Sequence, residues 1–342
     1  MSLDLPGAVP DLVHPLVSGS ESAEAPVLPS PTNSPIPAAV EQLRSVRQAW
    51  RARLDEERDT ASFPSRGQLA AVVELLAGAL YPRRLGRFRG SKDEEDAFVA
   101  AKLIAAFAGL EREVAAEFGY WQHEAAGSFE PDQAATVVRL FAATLDEIRR
   151  LIDSDVEAAF LADPAARSVD EILVCYPGAI ASLHHRIAHQ LDALGAPITA
   201  RIISELANER TGIDIHPGAT IGEGFFVDHG TGVVIGETAI VGKRVRLYQH
   251  VTLGARSPLG AARHGASSRH ARHPIVGDDV VVYAGATILG RVRIGDRATI
   301  GGNVWLLSEV PPDSVVVQPE AQLLAVAAGV TLRDALGGAA ER

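Results

Sequence analysis

Between Ile215 and Leu306 the chain repeats itself every six residues, a period that few architectures accept. Ile215, Ile221, Val227, Val233, Ala239, Val245 and Val251 stand six apart, and after an interruption Val276, Val282, Ile288, Ile294, Ile300 and Leu306 resume the step. Glycine follows the aliphatic residue directly in IGEG, VGDD, IGDR and IGGN. A helix repeats near 3.6 residues and a half-buried strand near two, so six fits neither. It fits a chain that lays down a short flat run, turns a corner and repeats. Three such runs close one coil of roughly 18 residues, a hexapeptide parallel β-helix. The recurring aliphatic residue points inward and stacks on its counterparts above and below, while the adjacent glycine permits the corner. Neighbouring coils bond to one another, so the solenoid is quasi-one-dimensional and needs capped ends. Val/Ile-rich strands in a sandwich would not produce thirteen aliphatic positions in two phased blocks.

The remainder of the 342 residues leaves room for a second domain and tails. Residues 1–36 are rich in Pro, Ser and Val and poor in aromatics, which predicts a disordered tail. A helical domain is expected over 37–209, opening with Val40, Leu43, Val46 and Trp50 at helical steps. Phe63-Pro64-Ser65 breaks it, and helices are expected over 68–80, 94–118, 131–160, 170–194 and 197–208. In the 131–160 segment Pro131 suits a first turn, and Phe141, Leu145, Ile148 and Ile152 form one apolar stripe. The β-helix is assigned to 210–317 and an Ala/Leu-rich tail to 318–342, expected to be helical and able to cap the open end. The class is therefore α+β. A net charge of −11 with scattered Lys and Arg argues against nucleic-acid and anionic-membrane partners. The single cysteine, Cys175, rules out an internal disulfide, suits a reducing compartment and is expected to pack in an apolar helix. With no basic-then-apolar start and no run long enough to span a bilayer, a cytoplasmic protein is expected.

Departures from the repeat are where chemistry is expected. Asp228-His229 follows the stacked Val227, and Asp214 lies fifteen residues ahead of His229, a spacing that permits contact between adjacent coils. Gly254 to Arg272 is too long and polar to be a coil, so it must leave the prism as an extruded loop whose end returns Arg272 and His273. Histidine is the natural base for an alcohol nucleophile, and a carboxylate on its far nitrogen fixes the tautomer.

The runs DIHPGATIGEGFFVDHGTGVVIGETA, VTLGA and RHP resemble the signature of the serine O-acetyltransferases, hexapeptide acyltransferases that make O-acetylserine from serine and acetyl-CoA. DPAA at Asp163–Ala166 and HRIAHQL at His185–Leu191 extend the resemblance upstream, so that it covers roughly Asp155 to Pro312. It implies a left-handed β-helix and direct attack of the serine hydroxyl on the thioester, with His229 as base and Asp214 as its partner. It implies Asp163 and Asp228 for the substrate ammonium, and Arg272 with His273 for its carboxylate, a task that suits a guanidinium fork. His270, after Arg269, competes with His273 for that place; the HPIVGDD continuation favours His273. An oxyanion needs backbone donors, and the resemblance places one at Gly254-Ala255, where Ala replaces the family's second glycine. Acetyl-CoA is implied in a groove between prisms of a homotrimer or a dimer of trimers, along Ala284, Gly285 and Gly302; no metal is implied.

Two departures from the family stand out. DSVVVQPEAQLL follows Val310–Pro312 in place of the usual GxPA turn, and the chain ends GGAAER rather than in isoleucine. The second predicts no complex with O-acetylserine sulfhydrylase. Plainer roles are open as well: turn caps for Asp214 and Asp228, an ordinary turn at Asp163-Pro164, and helix packing rather than metal binding for His184, His185 and His189. Competing functions are acetyl transfer to another hydroxyl, a γ-carbonic-anhydrase-like metalloenzyme using His229, His250 and His273, and a non-catalytic scaffold.

Overall fold

The computed structural model describes residues 34–52, 62–122, 130, 132–256 and 270–319. The expectations for the N-terminal tail, Pro131, Arg269, most of the extruded loop and the C-terminal tail beyond Pro319 lie outside the described residues. Helix α1 (Ile36–Arg51) belongs to a unit of its own, Met1–Asp59, and carries an exposed stripe of Ile36, Val40, Leu43, Val46 and Trp50.

The second unit, Thr60–Arg342, contains helices and prism together. Its helices are α2 (Arg66–Leu80), α3 (Lys92–Gln122), α4 (Gln133–Ala142), α5 (Leu145–Ala162), α6 (Val169–Cys175), α7 (Pro177–Ala193) and α8 (Pro197–Thr211). Leu69, Leu76, Leu110, Phe141, Ile148, Ile152, Ile187, Leu191 and Ile203 meet in one buried core, and no helix among the described residues is long and apolar enough to cross a membrane. Two of the expected helices are each split. The 131–160 segment breaks at Ala143-Thr144, where the Thr144 hydroxyl donates to the Phe141 carbonyl at 2.8 Å. The 170–194 segment breaks at Tyr176, because Pro177 forces the residue before it into extended backbone (φ −77°, ψ 129°). That break also exposes Cys175 at the end of α6, correcting the expectation that it packs.

Helix α8 ends on Gly212, left-handed at φ 71°, and the chain enters the prism two residues later. The first face stacks β1 (Asp214–Ile215), β4 (Val234–Ile235), β7 (Thr252–Gly254), β10 (Thr287–Leu289) and β13 (Trp305–Leu306). The second stacks β2 (Thr220–Ile221), β5 (Ile240–Val241), β8 (Ile275–Val276) and β11 (Arg293–Ile294). The third stacks β3 (Phe226–Val227), β6 (Arg246–Leu247), β9 (Val281–Val282), β12 (Thr299–Ile300) and β14 (Val315–Val316). All pairings are parallel. The result is a left-handed β-helix whose last strand, β14, lies within the DSVVVQPEAQLL segment.

Most runs bury two aliphatic residues, such as Val245 with Leu247 and Ala298 with Ile300. The six-residue count therefore contains a slip. Val227 is a second inward position, and the next second position is Ile235, eight residues on. Asp214 pairs with Val234 twenty residues later, whereas Val234 with Thr252 and Thr287 with Trp305 are eighteen apart. The coil has two extra residues, and they fall in the corner that carries Asp228-His229.

A buried polar network locks the helices to this part of the prism. Arg186 on α7 forms a fork with Asp155 on α5, at 3.1 Å from Nη2 to either oxygen. The guanidinium also donates to the carbonyls of Ile221 and Gly222, and Asp155 accepts from the Phe225 amide at 2.7 Å. Buried charges survive only when paired and hydrogen-bonded in this way.

Candidate active site

One prism edge, where the third face turns into the first, carries His229. Its corners are linked by backbone bonds: Gly232 N–H to Gly212 O (2.8 Å), His250 N–H to Thr231 O (2.8 Å), Gly285 N–H to Gln249 O (3.0 Å) and Asn303 N–H to Ala284 O (2.9 Å). Gly232, His250, Gly285 and Asn303 all take left-handed φ, as does His229 at 59°. That conformation is uncommon without glycine, and it recurs in Arg244, Asp279, Arg297 and Asp313 at the corner between the second and third faces, so it belongs to the prism's turns. At Gly285 a Cβ would come within 2.2 Å of Asn303 Oδ1, so the glycine serves the turn itself. Ala284, Gly285 and Gly302 line this edge as small residues, a surface that an extended ligand can approach closely.

His229 projects outward, 71% exposed at its side chain, with Nε2 3.8 Å from Asp228 Oδ1. The end of α5 meets the same corner. There Tyr176 donates to Asp163 Oδ2 at 2.6 Å and the Ala165 amide donates to Oδ1 at 2.8 Å. These bonds hold the Asp163 carboxyl below its ordinary range, and the Tyr176 phenol is pushed up to about 12 by the same carboxylate. Arg246 on β6 reaches Asp228 Oδ2 at 3.6 Å and donates to the Ala162 carbonyl at 2.9 Å. Asp163, Asp228 and His229 are thus gathered at one corner, with Tyr176 and Arg246 added to them. Neither addition was read from the sequence. Pro177 signalled the break that frees Tyr176, whereas the repeat marks Arg246 only as outward-facing.

Asp214 opens β1 beneath this corner but pairs with Arg201 at 3.5 Å, and no hydrogen bond or ion pair joins it to His229. Arg272 and His273 lie on a different edge, between the first and second faces. Arg272 pairs with Glu237 at 2.7 Å, and its amide donates to Thr238 Oγ1 at 2.9 Å. His273 is buried, its Nδ1 accepting from the Thr238 amide at 3.0 Å, while His270 is exposed. Gly236 admits the His273 ring, which a Cβ there would meet at 2.1 Å. Gly254 and Ala255 leave the first face at this same edge, and Ala255 is not among the residues with positive φ.

The helix histidines have other surroundings. His184 Nδ1 lies 2.8 Å from Ile180 O and His189 Nδ1 2.8 Å from Pro217 O, while His185 is buried with neither ring nitrogen hydrogen-bonded among the described residues. Burial pushes the His185 imidazole far below its ordinary range. Of the three histidines a metal reading needs, His229 and His250 share one edge and His273 stands on another.

A family model described as bacterial transferase hexapeptide (six repeats) matches residues 273–307. The plasmid serine acetyltransferase of Synechococcus elongatus is 47% identical over 264 residues, covering 75% of this chain and 82% of that protein. The chain belongs to the serine acetyltransferase family. The serine acetyltransferase of Mycobacterium tuberculosis is 46% identical over 170 residues, 50% of this chain and 70% of that protein. Among solved structures, serine acetyltransferase isoform 3 of Entamoeba histolytica in complex with cysteine superposes with a TM-score of 0.64 at 33% identity, covering 75% of this chain and 84% of that one. Serine acetyltransferase 1 of the same organism, in complex with L-cysteine, gives 0.63 at 34%, covering 72% and 86%.

Proposed function

We propose that this chain transfers the acetyl group of acetyl-CoA to the hydroxyl of L-serine, giving O-acetyl-L-serine, and that His229 is the base. The observation that carries this reading is the corner itself: an exposed imidazole flanked by Asp228 and by the Asp163 turn. Two carboxylates beside a base suit a substrate with an ammonium group next to its hydroxyl. His229 takes the hydroxyl proton as the oxygen attacks the thioester carbonyl. The resulting oxyanion is met by the backbone N–H at Ala255, and collapse expels the thiolate, which recovers the proton from the imidazolium. Asp214 is the proposed partner for the other ring nitrogen, its coil lying under the His229 corner through the bond of Gly232 to Gly212.

Arg272 and His273 are proposed for the carboxylate and Ala284, Gly285 and Gly302 for the acetyl-CoA arm. The two edges of one prism are a strand run apart, on the order of 15 Å at about 3.3 Å per residue. Serine cannot span that gap. The site is therefore proposed to form where the His229 edge of one chain meets the His273 edge of another, in a homotrimer or a dimer of trimers. Functional division into a helical part (37–209) and a transferase prism (210–317), and a cytoplasmic setting, are proposed with it.

Serine-dependent release of free thiol from acetyl-CoA tests the reading. His229→Ala should lower turnover by about 10²–10⁴-fold, the usual worth of a general base, while leaving oligomer size unchanged. Near-wild-type turnover in that variant would remove His229 from the mechanism, and a preference for homoserine or sugars would redirect the acceptor.

A further inference from the structure

We propose that Arg246 is a positioning residue for the acceptor site, clamping the Asp163 turn onto the prism and fixing the Asp228 carboxylate; this rests on the acceptor-site reading above. Arg246 lies on the outer face of β6, between the inward-facing Val245 and Leu247. Its guanidinium carbon stands 5.1 Å from the Phe226 ring centroid and 5.0 Å from that of Tyr248, so aromatic rings hold the group in place. Tyr248 is in turn stacked on Tyr283, with centroids 5.1 Å apart and planes within 6°.

From this seat one nitrogen, Nη2, serves both sides of the site. It donates to the carbonyl of Ala162, the residue before Asp163, and faces Asp228 Oδ2 at 3.6 Å. The first contact ties the C-terminus of α5 to the third face, where Asp163 is already fixed by Tyr176 and Ala165. The second sets the carboxylate next to His229. The Nε–H is buried with no hydrogen-bond partner among the described residues, a donor left for a ligand or a water. One cation between two carboxylates leaves a single net negative charge, which matches one ammonium. A lysine would supply the charge without the planar fork or the stacked seat.

The test compares Arg246→Ala and Arg246→Lys with the wild type in two readouts. In steady-state kinetics Arg246→Ala should raise KM for serine about tenfold or more, the scale of a lost charge-assisted hydrogen bond. KM for acetyl-CoA should stay within about twofold, and Arg246→Lys should recover only part of the loss. In hydrogen exchange, the Ala165 and Ala166 amides should exchange faster in Arg246→Ala, with the prism strands unchanged. Serine KM within about twofold of wild type, or a parallel loss for both substrates, overturns the proposal; so does unchanged exchange in the 163–166 turn. Absence of serine turnover in the wild type would instead sink the reading of the reaction, while the exchange experiment still decides whether the clamp exists.

Discussion

Burial, reinforced by the Arg272 guanidinium, pushes the His273 imidazole down to about 4. With Nδ1 accepting from the Thr238 amide, the neutral ring keeps its proton on Nε2, where it can donate to a carboxylate without carrying charge. The stability consequence has a definite sign. The unfolded chain protonates this histidine near 6.5, so below that pH the unfolded state binds more protons than the folded one. The contribution is complete above about 6.5 and is lost as pH falls toward about 4. His184 and His185, also lowered by burial, act in the same direction. The melting temperature should therefore fall between pH 7 and pH 4.5, and His273→Asn should lessen that fall. An identical pH dependence in the variant would show that His273 titrates normally. At this scale the repeat marked Asp228-His229, because it makes any departure visible, whereas Asp163 lies upstream of the repeat and was marked only by the family resemblance of DPAA. The sequence did not disclose Tyr176 or Arg246, whose places depend on how a helix end meets a strand. The six-residue count also concealed the two-residue insertion, because Val233 is itself an inward position and keeps the apolar pattern unbroken across the slip.

At the scale of elements, local signals fixed helix and strand type while tertiary contact fixed the breaks. Pro177 is a helix breaker by its chemistry, yet the helix expected over 170–194 ran straight through it. The break has a structural purpose: it frees Tyr176 to reach Asp163 and starts α7 against β3. Gly178, the second residue of α7, makes that approach possible, since a Cβ there would lie 2.2 Å from the Val227 carbonyl oxygen. The obstacle is backbone, so it cannot swing aside as a flexible side chain could. Gly178→Ala should push α7 away from the strand that precedes Asp228, costing about 1–3 kcal/mol by overpacking. Denaturant unfolding would measure the loss, and turnover should fall with it because the strand leads directly into the Asp228-His229 corner. A variant as stable as the wild type would mean that α7 and β3 can separate without cost.

At the scale of the whole molecule, the proposed ammonium and carboxylate groups stand on separate edges of one prism, and this determines what assembly has to accomplish. The β-helix itself was legible from the repeat, since stacking of identical runs is a one-dimensional property of the sequence. The proposed meeting of two edges from different chains comes from the family resemblance alone, because nothing in a hexapeptide period states which face meets a neighbour. If each site takes His229 from one subunit and Arg272 from the next, two inactive variants should complement one another. Homotrimers of His229→Ala lack every base, and those of Arg272→Ala lack the guanidinium at every site. After random mixing at equal amounts, about one interface in four joins an intact His229 to an intact Arg272 in a cyclic trimer. Dissociating and reassembling the two variants together should therefore restore up to about a quarter of wild-type turnover, whereas mixing without subunit exchange should restore none. A site built within one chain gives no recovery under either protocol, because every chain then carries one of the two lesions.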